Sequence, residues 1–592
     1  MNSIYENIKQ SFKNALAKID PTLKDTDPMV RLTTDKKFGD FQSNVAMGLA
    51  KKLKKNPRVV AQQVIDALDV DDMCEKIDVA GPGFINVFLR PAYLAKTLEY
   101  LNTDQHLGVM QTQDPIHHII DFSSPNLAKE MHVGHLRTTI TGEVIARVIE
   151  FMGHTIERVN HVGDWGTQFG MLLQYIFENH PEVLKNPDDF HVKDLETFYK
   201  KAKKNFDDNE EFAIQARKKV VLLQSEDPTA MTVWKAFVKE SLRHCHEIYN
   251  LLDVSLTDIG ESFYNDKLPV VVSDLKENNM AREDKGAVCV FLDGFTNRDG
   301  DPLPMIIQKS DGGYNYDTTD LAAIKYRIQD CGGKRLIYVT DIRQAQHFTM
   351  LFTAARKAGW ATDEISLDHV GYGMVLGADR KPFKTRDGGT VRLRDLIEEG
   401  VSRAKAMITE NREGAQLERV KAFSEEKINH IANAVGLAAI KYSDLSHNLA
   451  SDYVFSWDKM LAMDGNTGPY MLYAYARIRS IGRKSGVDFD HLPEGTSLIL
   501  EHSSELALAK TLVRFSDVVD NVIKELKPNL LTDYLYSVSK GFSGFYDKKL
   551  GVSVLDAESE ALKMSRLLLC SLTAKTLKAG LHLLGISVLE EM

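Results

Sequence analysis

Only five cysteines occur in the 592-residue sequence, Cys74, Cys245, Cys289, Cys331 and Cys570, and no two form a C-x-x-C pair. Odd in number and far apart, they support neither a disulfide framework nor a zinc ribbon and read as scattered, reduced thiols. The run His244-Cys245-His246 does not change this, because adjacent residues on a helix point in different directions. No apolar stretch approaches the ~18 residues that span a bilayer, which excludes a membrane-spanning helix as an expectation. The opening MNSIYENIKQSFKNALAKI is an amphipathic pattern of mixed charge without the apolar block or cleavage site of a secretory signal. A cytoplasmic address is therefore expected. Positive charge is not in excess: 73 Lys and Arg against 83 Asp and Glu leave a formal net charge of −10. That argues against a surface coated for nonspecific DNA binding and leaves RNA recognition to local patches. Internal repeats and low-complexity tracts are also missing.

What is present is ordinary globular composition, 43% hydrophobic and 26% charged, in a chain too long for one core. Residues 1–110 read as a small α/β domain, with helical patterns over Ile4–Ile19 and Asn44–Leu53. In it the turn Gly81-Pro82-Gly83 precedes a strand-like Phe84–Leu89. Lys51, Lys52, Lys54 and Lys55 suit either a phosphate contact or a solvated helix end. Residues 111–375 read as a Rossmann-like doubly wound domain, opening with the buried-strand run Ile116–Ser124. Pro125 and Asn126 break that run. Val133, Leu136, Ile140, Val144, Val148 and Met152 then recur at helical spacing until Gly153, and Thr155–Val162 is the next strand. Arg335–Thr340 and Leu367–Tyr372 continue the sheet, and a lysine-rich helical insertion lies near 181–245. Residues 376–425 connect to an all-α bundle over 426–592, with helical segments Ile428–Tyr442, Tyr470–Gly482, Ser504–Leu526 and Ser559–Leu584. The expected fold is multidomain α/β, a doubly wound centre between an N-terminal α/β domain and a C-terminal helical bundle.

The first chemical signal follows the first strand of the central domain: Ser123-Ser124-Pro125-Asn126-Leu127-Ala128-Lys129-Glu130-Met131-His132-Val133-Gly134-His135. A helix start exposes unpaired N–H groups and partial positive charge, so phosphate is attracted there. Imidazole donors at His132 and His135 can bind phosphate oxygens, and Gly134 has no side chain to block a flat adenine ring. By itself H-x-G-H fits an unliganded helix start equally well. Its position after a buried strand favours the ligand reading, because ligands of such sheets lie at strand C-terminal ends. The segment resembles the HIGH signature of class I aminoacyl-tRNA synthetases.

Such enzymes pair that signature with a KMSKS loop, and Lys381-Pro382-Phe383-Lys384-Thr385-Arg386, followed by Asp387-Gly388-Gly389, is similar to the form found in arginyl-tRNA synthetases. Only Lys381 and Lys384 keep their places from KMSKS, and alone the segment is a basic turn. Three further segments match the same family: SSPN-x-AKEMHVGHLR from Ser123 to Arg137, Tyr314-Asn315-Tyr316-Asp317-Thr318-Thr319-Asp320, and MDGNTGPYMLYAYARIRSI from Met463 to Ile481. FGDFQSN (Phe38–Asn44) and AGPGFIN (Ala80–Asn86) extend the resemblance to the N-terminal domain.

The resemblance implies an arginine–tRNA ligase that uses ATP, with Mg²⁺ carried by the nucleotide and no dedicated protein metal site. His132, His135, Lys129 and Lys384 would serve catalysis, and His132, Gly134, His135, Lys381 and Lys384 would bind ATP. A planar guanidinium is best met by acceptor-only oxygens. Asp320 flanked by Tyr316 would supply one carboxylate and Asp121 a second; Ser124, Asn126, His135 and Gln344 would hold the rest of arginine. Asp320 also suits a plain helix cap. The resemblance further implies arginine activation that needs bound tRNA, a monomer, and an N-terminal domain that approaches the tRNA elbow. Tyr470, Tyr473 and Tyr475 interleave with Arg477, Arg479, Arg483 and Lys484, as stacking and phosphate contacts to unpaired anticodon bases require. Alternate tyrosines facing the bundle core are the competing arrangement. Tyr470, Tyr473, Arg477, Arg479 and the C-terminal Met592 are the tRNA candidates. Shorter nucleotidylyltransferases share H-x-G-H but lack a long helical C-terminal region. A catalytically silent tRNA-binding relative is the other alternative, opposed by intact His132, His135 and Lys384.

Overall fold

The computed structural model describes residues 2–33, 35–297, 299–384, 390–413, 423–493, 495–547, 549 and 551–592. Ser3 caps the first helix by accepting the Glu6 N–H at 3.1 Å, and α1 (Ile4–Ile19) packs Ile8, Phe12 and Leu16 inward. With α2 (Val45–Leu53) and α3 (Pro57–Ala67) it covers an antiparallel sheet of β1 (Val30–Leu32), β2 (Phe41–Ser43), β3 (Cys74–Ala80) and β4 (Phe84–Leu89), ordered β1-β2-β4-β3. The four lysines at the end of α2 are exposed, the solvated alternative. α4 (Pro91–Thr103) leads out of this unit.

The central sheet is wholly parallel. Its strands are β5 (His117–Asp121), β6 (Thr155–Val162), β7 (Thr257–Gly260), β11 (Arg335–Asp341) and β12 (Ser366–Tyr372), in the order β12-β11-β5-β6-β7. Successive side chains of a strand face opposite ways, and both faces are covered here. Ile120, Ile337 and Val339 enter one apolar cluster, and Ile119, Leu336 and Tyr338 the other. α5 (Val133–Phe151) follows β5 and ends at Gly153, whose φ of +86° suits glycine. α6 (Thr167–Asn179) follows β6, and the stretch near 181–245 holds the helices α7 (Leu195–Asp208), α8 (Glu210–Gln224) and most of α9 (Pro228–Leu251).

The sequence reading missed an antiparallel sheet of β8 (Ala281–Asp284), β9 (Ala287–Thr296) and β10 (Pro302–Gln308), which with α10 (Leu268–Glu277), α11 (Tyr316–Gln329) and α12 (Ala345–Lys357) builds the second cluster. Beyond β12, β13 (Val375–Leu376) pairs in parallel with β14 (Tyr453–Val454), on either side of α13 (Leu393–Glu413) and α14 (Glu425–Leu445). α15 (Trp457–Met460), α16 (Gly468–Ser485), α17 (Ser503–Leu512), α18 (Phe515–Glu525), α19 (Asn529–Tyr546) and α20 (Glu560–Leu583) complete the chain. One helix was expected over Ser504–Leu526; two form. The Tyr534 hydroxyl donates to the Leu512 carbonyl at 3.1 Å, so tertiary packing ends α17 without glycine or proline. The N-terminal unit docks on these helices through Lys510–Asp40 at 2.6 Å and Lys575–Asn102 at 2.9 Å. Among the described residues no helix is long and apolar enough to cross a membrane.

Candidate functional site

The chain runs from β5 outward to β6 and β7, then returns to lay β11 and β12 on the other side of β5, so the C-terminal end of β5 is the topological switch point. There Ser123 and Ser124 take φ of +70° and +47°, a strained region for non-glycine residues. Side chains hold them. The Thr138 hydroxyl oxygen accepts the Ser123 N–H at 2.9 Å, Asn160 Oδ1 accepts the Ser124 N–H at 3.0 Å, and the Ser124 hydroxyl donates to Asp121 Oδ1 at 2.8 Å. Asn126 Oδ1 accepts the Ala128 N–H and the Gln168 amide, each at 3.0 Å. Its own NH₂ then remains as the donor, since its oxygen is fixed by a backbone N–H.

His132 caps α5. Its Nδ1 accepts the Gly134 N–H at 3.0 Å, and His135 Nδ1 accepts the His132 N–H at 3.0 Å. The rings lie 4.0 Å apart. Burial, reinforced by the neighbouring ring, pushes His135 down to about 3, and burial with Lys129 nearby lowers His132. Both are thus neutral imidazoles whose Nδ1 is an acceptor, which leaves the proton on each Nε2. Gly134 has a reason beyond room for a base: a Cβ there would stand 2.8 Å from His132 Cε1.

The second signal is tied to the first by backbone pairing. Val133 N donates to Val391 O at 3.0 Å and Leu393 N to Met131 O at 2.9 Å, with a bridge between His132 and Arg392. Lys384 bridges Thr390, Pro382 bridges Leu376, and the Phe383 ring stacks on Phe455 at 4.5 Å. Lys381 and Lys384 are exposed on this hairpin. Thr385, Arg386, Asp387, Gly388 and Gly389 lie outside the described residues. Lys129 is exposed beside the helix start, its ammonium 5.0 Å over the Tyr199 ring of the insertion.

Acidic groups gather at the neighbouring strand ends. Asp164, after β6, accepts the Ser262 N–H at 2.9 Å and the Ser262 hydroxyl at 2.6 Å. A Cβ at Gly260 would collide with its carboxylate at 2.0 Å, so only glycine fits. Burial and the negative charges of Asp320 and Asp164 hold the Glu261 carboxyl up at about 7. On α11, Asp320 Oδ2 meets His347 Nε2 at 2.7 Å, and Asp317 Oδ1 meets His347 Nδ1 at 3.2 Å. Burial lowers the His347 value, but these two carboxylates outweigh it and hold it at about 9, so the ring is an imidazolium at neutral pH. Tyr316, 60% exposed, packs edge-on to that ring at 5.1 Å. Gln344 is exposed at the end of β11.

Both oxygens of Asp121 have internal partners, Oδ2 the Arg327 guanidinium at 2.7 Å and Oδ1 the Ser124 hydroxyl. Glu261 and His347 were missed; each is a lone residue far in sequence from Asp320, with no local pattern to mark it.

On α16, positions three and seven apart share a face. Tyr470, Tyr473 and Arg477 do so; Tyr473 is 42% exposed and the Arg477 guanidinium lies 5.2 Å from the Tyr546 ring. Tyr475, two residues from Tyr473, turns inward and donates to Glu590 Oε1 at 2.8 Å. The core-facing alternative therefore holds for Tyr475. Arg479 sits on the far side, paired with Glu590 at 2.8 Å and Asp490 at 3.0 Å. Met592 packs partly buried against the bundle core.

A helix-start histidine pair over the switch point of a parallel sheet, with a lysine hairpin stitched to it, is the architecture of a class I aminoacyl-tRNA synthetase. Residues 97–457 match the model described as tRNA synthetases class I (R), catalytic domain; 471–592 match the DALR anticodon binding domain, and 6–89 the arginyl tRNA synthetase N terminal domain. The chain belongs to the arginyl-tRNA synthetase family. It is 51% identical to an arginine–tRNA ligase of Nostoc sp. over 100% of both chains, and 50% identical to one of Synechococcus elongatus over 99% of both. Its fold superposes on arginyl-tRNA synthetase from Plasmodium falciparum with a TM-score of 0.86 at 33% identity, covering 100% of both. Arginine–tRNA ligation with ATP is its activity.

Proposed function

We propose that adenylate formation takes place over the start of α5, between the His132–His135 pair and the Lys381–Lys384 hairpin, with the arginine guanidinium among Asp320, Glu261 and Tyr316. The arginine carboxylate attacks the α-phosphorus of ATP, the bond to the β-phosphate oxygen breaks, and pyrophosphate leaves. No side chain acts as nucleophile; positioning and stabilisation of developing negative charge supply the acceleration. The two Nε2–H groups donate to phosphate oxygens as neutral imidazoles. Lys384 and Lys129 bring positive charge from opposite sides of the helix start. Asn126, with its amide NH₂ available, and Gln344 orient the α-carboxylate, and Ser124 accepts from the α-amino group. Asp320 and Glu261 take the guanidinium, while Asp121 acts at one remove by fixing Arg327 and Ser124.

Among the described residues no three metal-ligating side chains cluster. Magnesium enters this reading as the counter-ion of ATP, and no step is routed through it. A ribose hydroxyl of the terminal adenosine, the 2′-OH by class I behaviour, then attacks the adenylate carbonyl and AMP leaves. Tyr470, Tyr473 and Arg477 form one face for anticodon bases; Met592, two residues beyond the Glu590 that pairs with Arg479, stays a further tRNA candidate. We keep the divisions 1–110, 111–375, 376–425 and 426–592 as working domains, and a monomer in the cytoplasm as the working state.

The observation that supports the reading is the backbone pairing of 131–133 with 391–393, which joins the start of α5 to the segment that follows Lys384 and its partner Thr390. Arginine-dependent ATP–pyrophosphate exchange, measured with and without cognate tRNA, tests it. Exchange is expected only with tRNA present; full exchange in its absence would contradict it.

A further inference from the structure

Arg137 lies two residues beyond His135, in the first turns of α5, and is 1% exposed. Its guanidinium meets three separate stretches of chain. Nε stands 2.7 Å from Asp444 Oδ1, near the end of α14. Nη1 donates to the Gly373 carbonyl at 2.7 Å and to the Ser451 carbonyl at 3.2 Å. Tyr372 and Tyr453 flank it, with ring centres 5.9 and 5.2 Å away. Gly373 joins β12 to β13, the strand from which the lysine hairpin springs. A Cβ on it would lie 2.6 Å from the Ser451 carbonyl carbon, so this approach admits glycine alone. Asp444 is as buried as Arg137, and one turn before it the buried Lys441 donates to the carbonyls of Leu252 and Gly585. α14 is therefore keyed by two buried ions between the signature helix and the C-terminal helices.

A buried ion pair is a poor device for stability, since apolar residues of similar volume often serve as well. A rigid guanidinium fork reaching acceptors on different segments is instead a good device for fixing geometry. The junction is also left unsaturated: Arg137 Nη2 and Asp444 Oδ2 have no hydrogen-bond partner among the described residues, and the 2.7 Å approach of Nε to Oδ1 is an ion pair without hydrogen-bond alignment.

We propose that Arg137 and Asp444 are positioning residues for adenylate formation, fixing the base of the lysine hairpin relative to His132 and His135 so that Lys384 meets the triphosphate. This rests on the reading of Lys384 given above. Misplacement of a catalytic group by about 1 Å costs on the order of 100-fold in rate. Asp444→Asn and Arg137→Lys are therefore expected to lower kcat for tRNA-supported pyrophosphate exchange by about 10- to 100-fold, with arginine KM unchanged within about twofold. Groups acting as one unit are strongly non-additive, so in a Lys384→Ala background Asp444→Asn should lower kcat by less than about threefold more. Fully multiplicative losses, or a wild-type kcat in Asp444→Asn, would overturn the proposal. A wild-type kcat in Lys384→Ala alone would instead overturn the hairpin reading beneath it. If the single variants lose their cooperative thermal melt, Arg137→Met with Asp444→Leu replaces them. That pair is expected to fold and stay slow; full activity in it also refutes the positioning role.

Discussion

Glu261→Gln separates arginine recognition from folding. The Glu261 carboxyl stands at about 7 rather than its ordinary 4.5, through burial and then the negative charges of Asp320 and Asp164. Guanidinium is met by ionised oxygens, so arginine binding needs the proton removed. About one tenth of the group is ionised at pH 6 and about nine tenths at pH 8, which makes arginine KM rise about tenfold from the higher pH to the lower. In Glu261→Gln the profile should flatten, with KM at pH 8 raised by roughly 10- to 100-fold, the loss of one charge-assisted contact. Stability moves the other way. The folded value lies above the unfolded one, so the associated stability is fully present below about pH 4.5 and is lost as pH rises through 7. The displacement of about 2.5 units corresponds to an upper limit of roughly 3 kcal/mol at pH 8. Without arginine, Glu261→Gln should therefore melt at a higher temperature than the parent at pH 8. The assay is steady-state aminoacylation at saturating ATP and tRNA across pH 6–8, beside thermal melts of the same samples. A substitution that leaves both the KM profile and its pH dependence intact would refute the guanidinium assignment.

Three further outcomes follow from the site. His132→Asn keeps a good helix cap but removes the Nε2–H donor, so melting should stay within about 1 kcal/mol of the parent while kcat for exchange falls about 100-fold; a loss of stability without loss of rate would reverse the roles. Asp320→Asn leaves the guanidinium with Glu261 as its one carboxylate and is expected to raise arginine KM by about 100-fold with ATP KM little changed. Tyr473→Ala should weaken tRNA binding by about 5- to 100-fold, as loss of one stacked base does, with tRNA-independent properties unaltered; Tyr475→Phe, on the inward side, should leave tRNA binding as it was.

Where the determinants of structure are local, the sequence reading and the fold coincide. Thr155–Val162 forms a strand over those same residues because Gly153 ends the helix before it and the run carries the β-branched Thr155, Ile156, Val159 and Val162. The His132-Val133-Gly134-His135 segment opens a helix because its own side chains cap that helix. Non-local determinants escaped. The β8–β10 sheet is built from a stretch whose glycine turns, at Lys285-Gly286 and Asp299-Gly300, interrupt the apolar pattern. α19 shows helical spacing at Leu531, Leu535, Val538, Phe542 and Phe545, a signal legible behind Pro528 but not taken up. In the site, Asp121 was visible as a carboxylate beside the signature, while its partner Arg327 lies on α11, and only the folded chain brings them to 2.7 Å. Glu261 and His347 are single residues that only the folded chain brings beside Asp320, which spacing cannot disclose. Arg479 stood beside Arg477 as a tRNA candidate in a mixed run, and the helix puts it with Tyr475 on the side opposite Tyr473.

The most direct measurement is charging of cognate tRNA by the purified protein with each of the twenty amino acids in turn. Arginine alone is expected to be esterified, at a rate that depends on both the acidic cluster and the hairpin lysines. Equal charging with lysine, whose point charge lacks the guanidinium fork, or no charging with any amino acid, would contradict a pocket built around Asp320 and Glu261.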